Sequence, residues 1–126
     1  MIDLQEVEKY HNDLINQFGG SKGIRDIAGL EAALARPYMT FDQQDLYPTA
    51  EDKAAAIFES LIINHPFIDG NKRIAYLLLR ITLRIESITV VASQIEKYNM
   101  AIAASMGQLN FNQIKDWIIQ HTIKIQ

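Results

Sequence analysis

Between Ile74 and Ile85 only Arg80, Thr82 and Arg84 interrupt an otherwise apolar run. A stretch of that length, apolar on nearly every side of a 3.6-residue turn, is a helix that must be covered by other elements. The whole chain has 126 residues, of which 48% are hydrophobic, enough for one core and too few for two. The expectation is therefore a single all-α domain over 1–126, a helical bundle with this helix as its buried centre and Tyr76, Leu77, Leu78 and Leu79 in the core.

The remaining segments supply its neighbours. Leu4, Val7, His11, Leu14, Ile15 and Phe18 recur at spacings of three and four and form the stripe of a first helix that Gly19-Gly20 ends. His11 falls on that stripe, where a His is ordinarily a satisfied core residue. Asp26 is placed to cap a second helix that Pro37 stops. Thr49 with Asp52 three residues on is a capping-box pattern, and Ile57, Phe58, Leu61 and Ile62 give the third helix its core face. Ser93 and Glu96 repeat the pattern after a short extended piece at Ile88–Val91. A last helix follows Asn110 and carries Phe111, Ile114, Trp117 and Ile118 inward, with His121 on the same face in a structural role. Only the segment from Tyr38 to Pro48 lacks helical periodicity; Tyr38, Met39 and Phe41 stand there among polar residues.

The loop that leads into the apolar helix is where chemistry collects. Asp69-Gly70-Asn71 is a turn sequence, because Gly tolerates positive φ and Asp and Asn bond to nearby backbone groups. A helix then begins near Asn71, which puts Lys72 and Arg73 in its first turn, where the positive end of the helix dipole disfavours cations by roughly 0.3–1 kcal/mol each. An anion would remove that conflict. Free N–H groups at a helix N-terminus form a phosphate site, and a Lys and an Arg beside them suit a polyphosphate. Asp69 is placed to hold Mg²⁺, which commonly rests on one or two carboxylates plus substrate phosphates. His65 is the candidate general base, with an unperturbed pKa close to neutral. The plain alternative, a solvated turn between helices, would explain any one of these residues; it does not explain all of them within nine positions.

The run His65-Pro66-Phe67-Ile68-Asp69-Gly70-Asn71-Lys72-Arg73 resembles the signature of the Fic/Doc family, His-x-Phe-x-(Asp/Glu/Asn)-(Gly/Ala)-Asn-(Gly/Lys)-Arg, at every specified position. Gly19 to Asp26 and Gly29 to Pro37 are similar to the N-terminal part of Doc-type toxins, so the likeness spans most of the first two thirds. The resemblance implies a Fic fold in which His65 activates a protein hydroxyl toward a phosphate of a Mg²⁺-bound nucleoside triphosphate. It places the phosphates on Gly70, Asn71, Lys72 and Arg73, with Arg73 also stabilising charge in the transition state, Mg²⁺ on Asp69, and Phe67 in the role of a buried anchor. It also makes Tyr38, Met39, Thr40 and Phe41 part of a flap beside the site, where a target backbone adds as a strand.

Within the family the residue before the final Arg separates two reactions. Adenylylating members usually have Gly there, which lets the backbone close around the inner phosphates; Doc-type members have Lys and are protein kinases that offer the γ-phosphate. Lys72 follows the second branch, its ammonium acting as a point charge on phosphate. The implied function is a toxin kinase acting on a Ser or Thr of a translation elongation factor of the Tu type, with AMP transfer as the alternative and a non-catalytic binding domain as a third reading. The inhibitory (Ser/Thr)-x-x-x-Glu-(Gly/Asn) motif of other members fails here, since Thr82 to Glu86 is followed by Ser87. Inhibition is therefore expected in trans, from a small antitoxin.

Composition excludes several classes. A formal charge of −3 gives no general reason to bind nucleic acid, and with no cysteine there is neither a disulfide framework nor thiolate chemistry. His11, His65 and His121 lack the close spacing of a zinc site. No apolar stretch reads as a signal peptide or membrane span, which leads to an expectation of the cytoplasm.

Overall fold

The computed structural model describes residues 1–125 and is built from α1 (Leu4–Phe18), α2 (Ile27–Ala35), a 3₁₀ turn (Arg36–Tyr38), β1 (Thr40–Phe41), β2 (Gln44–Asp45), α3 (Ala50–Asn64), α4 (Asn71–Ile85), β3 (Ile88–Val90), α5 (Gln94–Ser105), α6 (Phe111–Gln120) and β4 (Thr122–Lys124). The helix starts are where the short-range chemistry puts them. Asp3 and Asp26 accept from the backbone N–H groups of Glu6 and Gly29, and full capping boxes form at Thr49/Asp52, Ser93/Glu96 and Asn110/Gln113. Each such cap satisfies N–H groups that a helix leaves open, worth about 1 kcal/mol. Among the described residues, no helix is long and apolar enough to cross a membrane.

The bundle is all-α apart from two small antiparallel strand pairs, β1 with β2 and β3 with β4. One apolar cluster joins all six helices, with Phe58, Leu61, Ile74, Leu78, Leu79, Leu83, Ile114 and Ile118 fully covered. The central position differs from expectation. Buried residues of α4 are Ile74, Ala75, Leu78, Leu79, Thr82 and Leu83, a single stripe, whereas α3 buries nine residues from Asp52 to Ile62 and is the more enclosed of the two. Arg73, Arg80 and Arg84 are the physical reason: at spacings of seven and four they fall on one side of α4 and hold that side in water. Tyr76 and Leu77 are accordingly half-buried rather than core, and Ile85 is exposed. In α6, Ile114 and Ile118 are buried while Phe111 and Trp117 are half-buried.

Strand β3 confirms the extended piece at Ile88–Val90, and its partner β4, which has no separate signal among the residues, returns the chain after α6 to lie beside it. His121 is structural: Nδ1 donates to the Trp117 carbonyl at 2.7 Å and the ring stacks on Trp117. The segment after α2 is a two-residue hairpin whose central Asp42 and Gln43 both have positive φ, matching the twist that such turns require. Arg36 pins its base, donating to the Tyr47 hydroxyl, Glu59 and Ser60 at 2.9–3.0 Å.

The start of α3 carries a second electrostatic tie. Asp52 is buried and sits 2.7 Å from Lys115 of α6. Burial alone would raise its carboxyl, but hydrogen bonds from Lys115 and Thr49 outweigh that and hold it below the ordinary carboxylate range. A depressed folded-state pKa means stability that is present at neutral pH and lost as pH falls through that value. Asp52→Asn is expected to cost about 1–2 kcal/mol at pH 7, measured by urea denaturation. The difference from the parent should begin to shrink near pH ~3.9 and close below it; a difference independent of pH would remove the charge from the account.

Candidate active site

The loop from His65 to Gly70 turns the chain from the end of α3 into the start of α4, and its shape comes from four clamps. His65 ends α3 in the left-handed region, at φ 45 and ψ 56, a conformation unusual for a residue with a side chain. Arg25 donates its guanidinium to the His65 carbonyl. The backbone N–H groups of Arg25 and Asp26 reach the Pro66 carbonyl at 2.7 and 3.0 Å, and Ile68 N–H reaches Gly23 at 3.0 Å. The Asn71 side chain closes the turn from the other side, accepting from Phe67 N–H and donating to the Phe67 carbonyl, both at 3.0 Å.

His11 is the fourth clamp. It is 1% exposed, its ring lies parallel to that of Phe67 with centroids 3.9 Å apart, and its Nε2 is 2.7 Å from the Asp69 carbonyl. A carbonyl only accepts, so Nε2 carries the proton and donates. The expected core role of His11 is right as far as burial goes. What the sequence does not reveal is that this core residue forms the floor of the loop.

Asp69 is seated by the glycine-rich connector after α1, whose Gly19-Gly20 is expected from the sequence only to end that helix. Its Oδ2 accepts from Ser21 N–H at 3.1 Å and its Oδ1 from Gly70 N–H at 2.8 Å. Gly20 has φ +116, and a Cβ there would stand 2.6 Å from Asp69 Oδ2, so the close approach needs glycine. The carboxylate remains exposed on the cleft with lone pairs free for a hard cation. Among the described residues no three His, Cys, Asp or Glu side chains gather into a metal cage. A divalent ion here would rest on Asp69 and on oxygens of a bound ligand.

Helix α4 begins directly after Gly70, at φ 74, with no side-chain cap, unlike the capped starts of the other five helices. Its first N–H groups are therefore available, and the Asn71 amide, committed to Phe67, leaves that residue only its backbone N–H to offer. Lys72 and Arg73 are exposed at this terminus and, among the described residues, neither is ion-paired. Arg73 lies over the ring of Phe18, 4.4 Å from its centroid. Phe18 is thus a shelf for the guanidinium, 53% exposed, and not the core residue its place on the α1 stripe suggests.

A cavity of about 730 Å³ opens over this terminus and is lined by His65, Asp69, Gly70, Asn71, Lys72 and Arg73, so the structure brings all six expected residues of the loop to one cleft. Farther along it are Tyr76, Arg80, Lys97 and Tyr98. Arg80, one of the residues that interrupt the apolar run, faces this space. Burial pushes the Tyr76 phenol above its usual range.

None of Tyr38, Met39, Thr40 and Phe41 lines the cleft; Tyr38 borders a separate depression of about 440 Å³ with Thr49, Thr82 and Ile85. The hairpin leads into the N-terminus of α3, its base is tied to that helix through Arg36, Glu59 and Ser60, and its residues stay off the lining. Glu86 is likewise at the end of α4 remote from the loop, and Thr82 is buried and bonded to the Leu78 carbonyl, so the partial inhibitory motif has no access to the cleft.

Comparison with known proteins bears on the same region. A family model described as Fic/DOC family matches residues 1–83, which include the whole loop and its supports on α1 and the connector. The Toxin Doc of Mycolicibacterium smegmatis (strain ATCC 700084 / mc(2)155) is 44% identical over 75 residues, 60% of this chain and 58% of the relative. The matched part thus spans a little over half of that relative's length.

Proposed function

The chain belongs to the Fic/DOC family, and from that premise we propose that it is a Doc-like toxin that transfers the γ-phosphate of a nucleoside triphosphate to a Ser or Thr hydroxyl of a protein. The observation that carries this reading is the meeting of His65 with two cations, unpaired among the described residues, at an uncapped helix N-terminus in one cleft. His65 takes the proton of the target hydroxyl as its oxygen bonds to phosphorus and the bond to the bridging phosphate oxygen breaks. The N–H groups at the start of α4, with Lys72 and Arg73, hold the phosphoryl oxygens and meet the charge that develops on them. Asp69, fixed by Ser21 and Gly70, would hold Mg²⁺, which supplies charge neutralisation between phosphates.

Lys72 supports the kinase branch. AMP transfer is the second reading, and one observation favours it: the cleft runs on from the mouth of α4 to Arg80 and Lys97, where outer phosphates would trail if the innermost one reacted. By resemblance the target is a translation elongation factor of the Tu type and the inhibitor a small antitoxin acting in trans, both in the cytoplasm. A lysate incubated with the chain, Mg²⁺ and ATP labelled at either the α or the γ position separates the readings. Protein label from γ alone, absent with His65→Ala, is the expected result; protein label from α would replace the kinase with AMP transfer.

A further inference from the structure

Two more cations line the cleft beyond those of the loop. Arg80 follows Arg73 by seven residues and so lies on the same side of α4, about 10 Å farther along its axis. Lys97 reaches the same place from α5. Both hold their charges 6.0 Å from the centre of the Tyr76 ring, and the Tyr76 hydroxyl is buried there without a hydrogen-bond partner. Among the described residues neither Arg80 nor Lys97 has an acidic partner, and Asp69 is the one carboxylate on the lining. A chain of net charge −3 thus turns four cations and one acid toward a single cavity.

We propose that Arg80 and Lys97, both beside the Tyr76 ring, form a second phosphate station that holds the end of the triphosphate chain opposite the reacting one. The inference rests on the reading of the mouth of α4 as the first phosphate seat. It holds for either reaction, because the α-phosphate lies at this station when γ reacts and the γ-phosphate when α reacts. Helical side chains lean toward the N-terminus, and the Arg80 guanidinium lies 6.0 Å from the centre of the Tyr76 ring, which shortens the axial gap to the mouth. Both cations gain charge-assisted hydrogen bonds. The station makes the cleft selective for length: a triphosphate spans both seats and a monophosphate reaches one.

Calorimetric titration of the full chain with ATP, AMP and inorganic tripolyphosphate, each with Mg²⁺, tests this. Arg80→Ala combined with Lys97→Ala should weaken ATP and tripolyphosphate by about tenfold; AMP should weaken with them if γ reacts, because the α-phosphate then lies at the station, and by less than about twofold if α reacts. Arg84→Ala, on α4 but off the cleft lining, should leave all three unchanged. The station is refuted if the double variant binds tripolyphosphate as the parent does while Lys72→Ala with Arg73→Ala weakens it. If the mouth variant also binds tripolyphosphate like the parent, the first seat is refuted and the station with it. Arg80 is exposed and Lys97 half-buried, neither part of the core, so circular dichroism of the double variant should match the parent.

Discussion

His65→Ala is expected to lower transfer by about 10²–10⁴-fold, the range for loss of a general base, while costing less than ~1 kcal/mol of stability. The low stability cost follows from the half-buried ring, which fills no core space, and from a left-handed backbone that Arg25 and the connector hold in place. His65→Asn sharpens the test, since Asn tolerates the left-handed region and keeps the turn yet has no titrating nitrogen. Both variants should be equally inactive, read as label incorporated per minute at saturating nucleotide. Retention of more than a tenth of parental activity by either one would remove His65 from the proton transfer. If alanine alone were inactive, the backbone turn and not the imidazole would be the requirement.

The largest stability effect is expected at Phe67. Its ring is 1% exposed, stacked on His11 and enclosed by the start of α4. Truncation to alanine removes that contact and leaves a cavity, at a cost of about 3–5 kcal/mol, a large part of the roughly 5–15 kcal/mol that holds a domain together. Because Asn71 bonds to both backbone groups of Phe67, the loss extends to the turn that presents Asp69. Urea denaturation measures the cost, and Phe67→Leu should recover more than half of it. A loss below about 1 kcal/mol would mean that the loop is held by its hydrogen bonds and not by its anchor.

What could be read from the sequence depended on how far apart the interacting residues lie. Asp26, Thr49, Ser93 and Asn110 act on N–H groups three residues away, and each cap is where its residue type indicates. The loop was legible for the same reason: turn, carboxylate and cations are contiguous, and two cations in a first helical turn are a local conflict that an anion resolves. His11 and Ser21 were not legible as supports, since they meet Asp69 across 58 and 48 positions. Counting apolar residues in α4 hid the phase of its arginines, which set its exposed side. Phe18 shows the limit of periodicity: its spacing places it on the α1 stripe, but at the last residue of the helix that stripe has run past the core and onto the cleft.

The left-handed turn at His65 has a consequence for how steadily the cleft residues are held. It reverses the chain so that His65 and the start of α4 stand at neighbouring ends of two helices packed along the interior. Their placement is then set by the packing of those helices and by the clamps of Arg25, Asn71 and His11 on the loop between them. Sequence drift on the outer helices or the hairpin is free to remodel the outer surface, and the loop between α3 and α4 keeps its shape underneath.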